Sequence, residues 1–154
     1  MAKASKIRDL APEDDVSRAL HKIVQVRVRE IRRYQAIVLR APSPEAVHDF
    51  RVAVRRLFSL LKIFSQYFPG DSYEEIRSVM KELLGLFGHV REIDVFQEMI
   101  GESSLARKHP QQPFVRRIYA DKQSIRNEAA ERSLEYLRSL ENAGLWHRLE
   151  STFS

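Results

Sequence analysis

The sequence predicts an all-α fold, an antiparallel four-helix bundle of long helices. Apolar residues recur at a spacing near 3.6 over long stretches, without the two-residue alternation that strands show. The 5 glycines and 6 prolines cluster at a few breaks and leave four long segments between them. A length of 154 residues suits one domain, and long helices with short connections pack as up-down bundles.

Proline and glycine breaks divide the chain into four predicted helices. The breaks are Pro42 and Pro44, Pro69 with Gly70, and Pro110 with Pro113. The helices are placed near residues 13–41, 44–68, 72–100 and 113–142. Residues 1–12 are expected to form a flexible arm, and residues 101–112 a polar loop. Residues 13–154 then form a single helical unit.

Helix ends carry their own signals. Ser43 can cap the second helix, with Pro44 at its first position. Ser72, with Glu75 three residues later, forms a capping box at the start of the third helix. Gly144 is predicted to end the fourth helix, because glycine adopts the backbone conformation that closes a helix.

Composition excludes several classes of function. The chain has no cysteine, which excludes disulfides, thiol nucleophiles and thiolate metal sites. No apolar run approaches the roughly 18 residues of a membrane span, and the N-terminus has no secretory apolar core. We therefore expect a cytoplasmic protein without a membrane partner. Residues 1–70 hold 14 basic and 7 acidic side chains, and this basic half favours an anionic partner.

The second predicted helix has a basic face and an apolar face. At about 100° per residue, one side carries apolar side chains that we assign to the core: Phe50, Val54, Leu57, Leu61 and Phe64. The opposite side carries His48, Arg51, Arg55 and Lys62, with Arg56 at its edge. Like charges four residues apart on a helix repel, so an unrelieved row of cations favours an anionic ligand. A solvated basic face has the same spacing, so spacing alone leaves both interpretations open.

The first predicted helix repeats this pattern. Its basic side carries Arg18, Lys22, Arg29, Arg33 and Arg40, and its apolar side carries Leu20, Ile31, Tyr34 and Val38. Residues 16–62 together hold 11 basic and 3 acidic side chains. Arg27 falls on the apolar side, which predicts either a buried arginine with a partner or a local change in the helix.

The third and fourth predicted helices add fewer candidates. Lys81 and Arg91 are basic, and Arg91 can pair with Asp94 three residues later, toward the apolar side. Gly85 and Gly88 would let another helix approach closely. On the fourth helix the predicted core stripe is Val115, Ile118, Ile125, Ala129, Tyr136 and Leu140. Lys122 and Arg126 lie close to this stripe and either point into a groove or extend to solvent.

Two segments resemble a known family. HDFRVAVRRLFSLLKIF (residues 48–64) and GHVREIDVF (residues 88–96) are similar to motifs of the CHAD family, the conserved histidine α-helical domains. The resemblance runs from about residue 16 to about 142. It implies an all-α fold that binds inorganic polyphosphate in a basic groove. The ligand contacts that the motifs imply are His48, Arg51, Arg55, Arg56 and Arg91. To these the helical faces add Lys62, Lys81, Lys22, Arg29 and Arg33.

The chain departs from the family pattern at a few places. Phe58 stands where the family often has another arginine, and Glu92 replaces an aspartate. A complete CHAD domain has two four-helix halves, each with a basic motif, whereas this chain has one. The chain is therefore either a fragment or pairs with a second copy, and a homodimer that completes the groove is our preferred hypothesis.

Three functions are compatible with the basic helix faces. Non-catalytic binding of polyphosphate, or of another polyanion, comes first. Nucleic-acid binding is the alternative, although aromatic residues for base stacking are scarce on the basic faces. A metal-dependent phosphohydrolase ranks lower, because no two of the five histidines have metal-site spacing: His21, His48, His89, His109 and His147. We expect no cofactor, no metal and no catalytic residue.

Overall fold

A computed structural model describes residues 3–68 and 70–152. Within these ranges the chain forms α-helices, one 3-10 turn at Ser65–Tyr67 and no strand. The helices are α1 (Val16–Arg40), α2 (Pro44–Ile63), α3 (Gly70–Glu102), α4 (Ser104–Lys108), α5 (Pro113–Asn142) and α6 (Leu145–Thr152). The all-α prediction is confirmed. Across these ranges, no helix combines the length and apolarity needed to cross a bilayer.

Three of the helix ends follow ordinary capping chemistry. The Asp15 side chain accepts the amide N–H of Arg18 at 2.8 Å, so α1 begins at Val16 rather than near residue 13. Ser43 caps α2 by accepting the N–H of Ala46 at 3.1 Å, as predicted. Gly144 follows α5 with a φ of 68°, in the left-handed region that favours glycine, which confirms its predicted role.

Two predicted boundaries were wrong. Helix α3 begins at Gly70, so Ser72 lies inside its first turn and no capping box forms there. Pro69, predicted to mark this break, lies outside the described residues. The segment 101–112 is not a simple loop, because it contains α4. Ser103 caps this short helix, and Ala106 within the helix is buried.

Packing follows the order of the long helices. Helix α2 packs against α1 and α3, and α3 packs against α5. The unpredicted helix α6 contacts both α1 and α5, and buries Leu145, Trp146 and Leu149 in the core. The antiparallel four-helix arrangement itself stays a prediction.

The predicted apolar faces of α1 and α2 form the core, whereas the predicted stripe of α5 is confirmed only in part. On α1 and α2 the buried predicted residues are Leu20, Ile31, Tyr34, Val38, Phe50, Val54, Leu57 and Leu61, and Phe64 is half-buried. On α5, Val115 of the predicted stripe is buried, Ala129, Tyr136 and Leu140 are partly buried against the core, and Ile125 is exposed. Helix α5 instead turns Ala130, Leu134 and Leu137 inward, together with the polar residues Arg126 and Ser133.

Candidate anion-binding site

The N-terminal half of α2 lies against the C-terminal half of α3. The rings of Phe50 and Phe87 meet edge to face, with centroids 4.8 Å apart. Next to this contact Gly88 is buried, and the Arg51 side chain lies against it. A Cβ atom at residue 88 would lie 3.6 Å from Nη2 of Arg51. Gly88 was predicted to allow the close approach of a neighbouring helix, and the group that approaches it is the side chain of Arg51. The same prediction was wrong for Gly85, which has no described neighbour in reach of a Cβ.

Arg51 is a half-buried cation that forms no ion pair with any residue the structure describes. Its Nε atom is buried and meets no hydrogen-bond acceptor among the described residues. Burial lowers the pKa of its guanidinium below the ordinary value, and the positive charge of Arg55 lowers it further. Glu92 opposes this shift, and Arg91 adds to it. Because arginine stays protonated in proteins, the site keeps a positive charge that an arriving anion would neutralise.

His48 and Arg91 line a cavity at the start of α2. The cavity has a volume of about 470 Å³, and its lining residues are Ser43, Pro44, Glu45, His48, Arg91 and Glu98. Within it, Nη1 of Arg91 donates to Oε1 of Glu98 at 3.0 Å, and Nη2 reaches Oε2 at 3.5 Å. The predicted Arg91–Asp94 pair was therefore wrong. The Glu98 carboxylate forms an ion pair with Arg91, and the Glu98 side chain is more than half exposed at the rim of the cavity.

Three further predicted contacts are solvent-exposed cations. Arg55 lies one turn after Arg51 on α2, and Lys62 lies near the end of the same helix. Lys81 is exposed on α3. None of the three forms an ion pair with a described residue. With the residues of the cavity and Arg51, they make up what we call the α2–α3 basic cluster: His48, Arg51, Arg55, Lys62, Lys81 and Arg91.

Arg56 points away from this cluster, toward α1. Its Nη1 donates to Oε1 of Glu30, whose other oxygen accepts from Arg27 at 2.5 Å. The Glu30 carboxylate is fully buried and shared by the two arginines, and its pair with Arg56 links α1 to α2. The prediction that Arg27 has a partner is confirmed. Arg56 as a ligand contact stays a prediction.

The basic side of α1 remains separate from the α2–α3 basic cluster. Nζ of Lys22 contacts Asp14 at 2.6 Å and the Asp9 carbonyl oxygen at 2.6 Å. Arg33 donates to the Tyr34 hydroxyl at 2.8 Å and lies over its ring. Arg29 is exposed and donates only to the Gln25 carbonyl in its own helix. Among the described residues, no hydrogen bond or ion pair links these cations to the cluster.

A buried ion pair between α3 and α5 was not predicted. Nε of Arg126 donates to Oδ1 of Asp94 at 2.5 Å, and its Nη2 donates to the Pro42 carbonyl at 2.7 Å. Extension of Arg126 to solvent is thus wrong, whereas Lys122 lies over the ring of Phe96 at 5.1 Å. The signal was present in the sequence, since Asp94 and Arg126 are opposite charges that both fall near apolar stripes.

Nothing in the described ranges gathers three histidine, aspartate or glutamate side chains in a way that could hold a metal ion. His89 and Glu92 come within 4.0 Å of each other on α3, but both are exposed. What the site offers chemically is therefore positive charge and hydrogen-bond donors on rigid helices. Such an arrangement can bind an anion.

Comparison with known proteins gives one match. No curated protein and no solved structure matches the chain. A family model for the CHAD domain matches residues 22–153, which is nearly the whole chain. The match includes the two segments whose side chains meet between α2 and α3. The chain therefore belongs to the CHAD domain family.

Proposed function

We propose that this chain is a non-catalytic binding module for inorganic polyphosphate, and that the α2–α3 basic cluster holds the ligand. The observation that carries the proposal is Arg51, a half-buried guanidinium whose buried Nε has no hydrogen-bond partner among the described residues. The CHAD domain is linked to polyphosphate binding in general, which supports the choice of anion.

The cluster suits a repeating anion better than a single small one. His48 to Lys62 span about 21 Å along α2, so the cations follow the helix instead of surrounding one point. Arginine donates two parallel hydrogen bonds to phosphate oxygens, and each contact contributes a modest amount of binding free energy. Because helices hold the side chains, little backbone order has to be gained on binding.

Titration of the protein with polyphosphates of increasing length tests this function. The affinity is expected to rise with chain length and to fall steeply with salt, by analogy with counterion release from nucleic-acid backbones. An affinity that is independent of chain length would contradict the proposal. Stronger binding of single-stranded or duplex DNA in competition would favour nucleic acid instead. Release of phosphate with added Mg²⁺ or Mn²⁺ would contradict a non-catalytic role.

Neutralising Glu98 is expected to strengthen binding. Glu98→Gln frees Arg91 from its carboxylate, so the ligand no longer has to displace it. Because exposed ion pairs contribute about 0.2–1 kcal/mol, we expect a gain in affinity of up to about fivefold. Calorimetric titration measures this gain. Glu131→Gln on α5 is the matched control, because it removes the same charge from an exposed position away from the cluster. Equal gains in the two variants would show a general charge effect.

We also propose that two copies pair to extend the binding surface. The chain carries one His-x-x-Arg helix, whereas the resemblance implies two such helices in a complete domain. Two-fold pairs are the commonest oligomers. Light scattering at micromolar concentration, with and without long polyphosphate, is expected to give the mass of a dimer. A monomer under both conditions would contradict pairing.

A further inference from the structure

The Asp94–Arg126 ion pair joins three parts of the chain near the anion site. Asp94 belongs to α3 and Arg126 to α5, and both residues are buried. Arg126 also donates to the carbonyl of Pro42 in the connection between α1 and α2, 84 residues away in sequence. One guanidinium therefore fastens α3, α5 and the start of α2 to one another.

These attachment points lie next to the residues that line the cavity. Pro42 immediately precedes Ser43, the capping residue of α2, and Ser43 lines the cavity together with His48. Asp94 lies one turn after Arg91 on α3, and Arg91 lines the same cavity. The bridge from Asp94 through Arg126 to Pro42 thus connects the two chain segments that supply Arg91 and Ser43 to the cavity.

The Asp94–Arg126 pair is not expected to contribute much to the stability of the fold. Oδ2 of Asp94 is buried without a hydrogen-bond partner among the described residues, so the carboxylate is only half satisfied. Burial of charges costs free energy, and well-packed apolar residues replace buried ion pairs with little loss or even a gain in stability. The pair therefore requires another explanation, and its position between the two sides of the cavity offers one.

We infer that Asp94 and Arg126 are positioning residues for the anion site, which set the separation of His48 and Arg91. Neither side chain touches the ligand. The bridge holds the first turns of α2 at a fixed distance from α3, so both side chains can contact one polyphosphate chain. This inference rests on the proposed function and adds to it the residues that keep the cavity in shape.

The test is the paired variant Asp94→Leu with Arg126→Met, which removes both charges and keeps an apolar contact. We expect circular dichroism and urea unfolding like those of the original protein. Affinity for long polyphosphate is expected to fall by about tenfold, because the geometry of the cavity loosens. The change in the NMR signal of the His48 ring on ligand addition should also be lost. Unchanged affinity and an unchanged His48 response in the folded variant would overturn the inference.

Two further variants keep the test decisive. Arg126→Lys keeps a positive charge for Asp94 but cannot also reach Pro42 in the manner of the guanidinium, so it is expected to fold and to bind more weakly. Wild-type affinity in this variant would overturn the inference even if the paired variant does not fold. Ser133→Ala is the control, because its buried hydroxyl bonds only to Ala129 in the same helix. Its affinity should not change.

The failure of this inference and that of the proposed function are distinguishable. If the original protein binds no polyphosphate, or if cluster variants bind as well as it does, the proposed function fails. If the original protein binds and the cluster variants do not, while the paired variant binds normally, the positioning role alone is wrong.

Discussion

Charge reversal of Arg51 and Arg55 together is expected to abolish polyphosphate binding and to leave the helices intact. The two side chains lie one turn apart on α2, and the buried Nε of Arg51 has no hydrogen-bond partner in the described part of the chain. Arg51→Glu with Arg55→Glu places two carboxylates near Glu92, so the centre of the cluster repels phosphate. Because charge-assisted contacts are lost and repulsion is added, affinity should fall by more than about a hundredfold. Calorimetric titration at low salt measures the loss, and circular dichroism checks the fold.

The basic side of α1 provides a matched control for this reversal. Arg29→Glu with Arg33→Glu changes the net charge by the same amount, at exposed positions separate from the cluster. This control is expected to weaken binding only a little, through the general field of the protein. If both double reversals weaken binding equally, overall charge and not the α2–α3 basic cluster determines affinity. Arg51→Gln with Arg55→Gln repeats the test if the glutamates disturb packing.

Removal of Arg126 alone is expected to cost far more stability than removal of the whole ion pair. Arg126→Leu leaves the Asp94 carboxylate buried without its cation and deprives the Pro42 carbonyl of a donor. Breaking a buried pair in this way costs about 3–5 kcal/mol, a large share of the stability of a small domain. Urea unfolding followed by circular dichroism measures the change. A loss below about 1 kcal/mol would show that the pair is solvated in solution.

The paired replacement of Asp94 and Arg126 provides the contrast to this single variant. Stability close to that of the original protein is expected once both charges are gone. Equal destabilisation in the single and paired variants would mean that packing or the lost hydrogen bond to Pro42, and not the unpaired charge, dominates the loss.

The helices of the first half follow from local rules. The apolar faces of α1 and α2 recur at helical spacing, and Ser43 with Pro44 forms a recognisable helix start. The face of α5 could not be found in this way, because two of its buried positions are Arg126 and Ser133. Each is buried only because a partner satisfies it: Asp94 from another helix for Arg126, and the Ala129 carbonyl for Ser133. Helical spacing of apolar residues contains no information on such partners.

The candidate site could be predicted only in part, because helical spacing does not show the partners of its side chains either. Spacing along α2 separated His48, Arg51, Arg55 and Lys62 from the core stripe, but only Arg55 and Lys62 are exposed, because His48 and Arg51 are half-buried. It could not show that Arg56, one position further, turns to Glu30 on α1. Nor could it show that Glu98 pairs with Arg91, because this pair depends on the conformations of two side chains that lie seven residues apart in sequence. A helical wheel gives the direction of a side chain but not the neighbour in that direction.

The most direct test of the account is an NMR measurement of arginine side chains during addition of long polyphosphate. If the α2–α3 basic cluster is the binding site, the guanidinium signals of Arg51 and Arg91 shift at substoichiometric ligand. Those of Arg29 and Arg33 on α1 stay in place until the ligand is in excess. Shifts at Arg29 and Arg33 with unchanged signals from Arg51 would contradict the central claim that polyphosphate binds between α2 and α3.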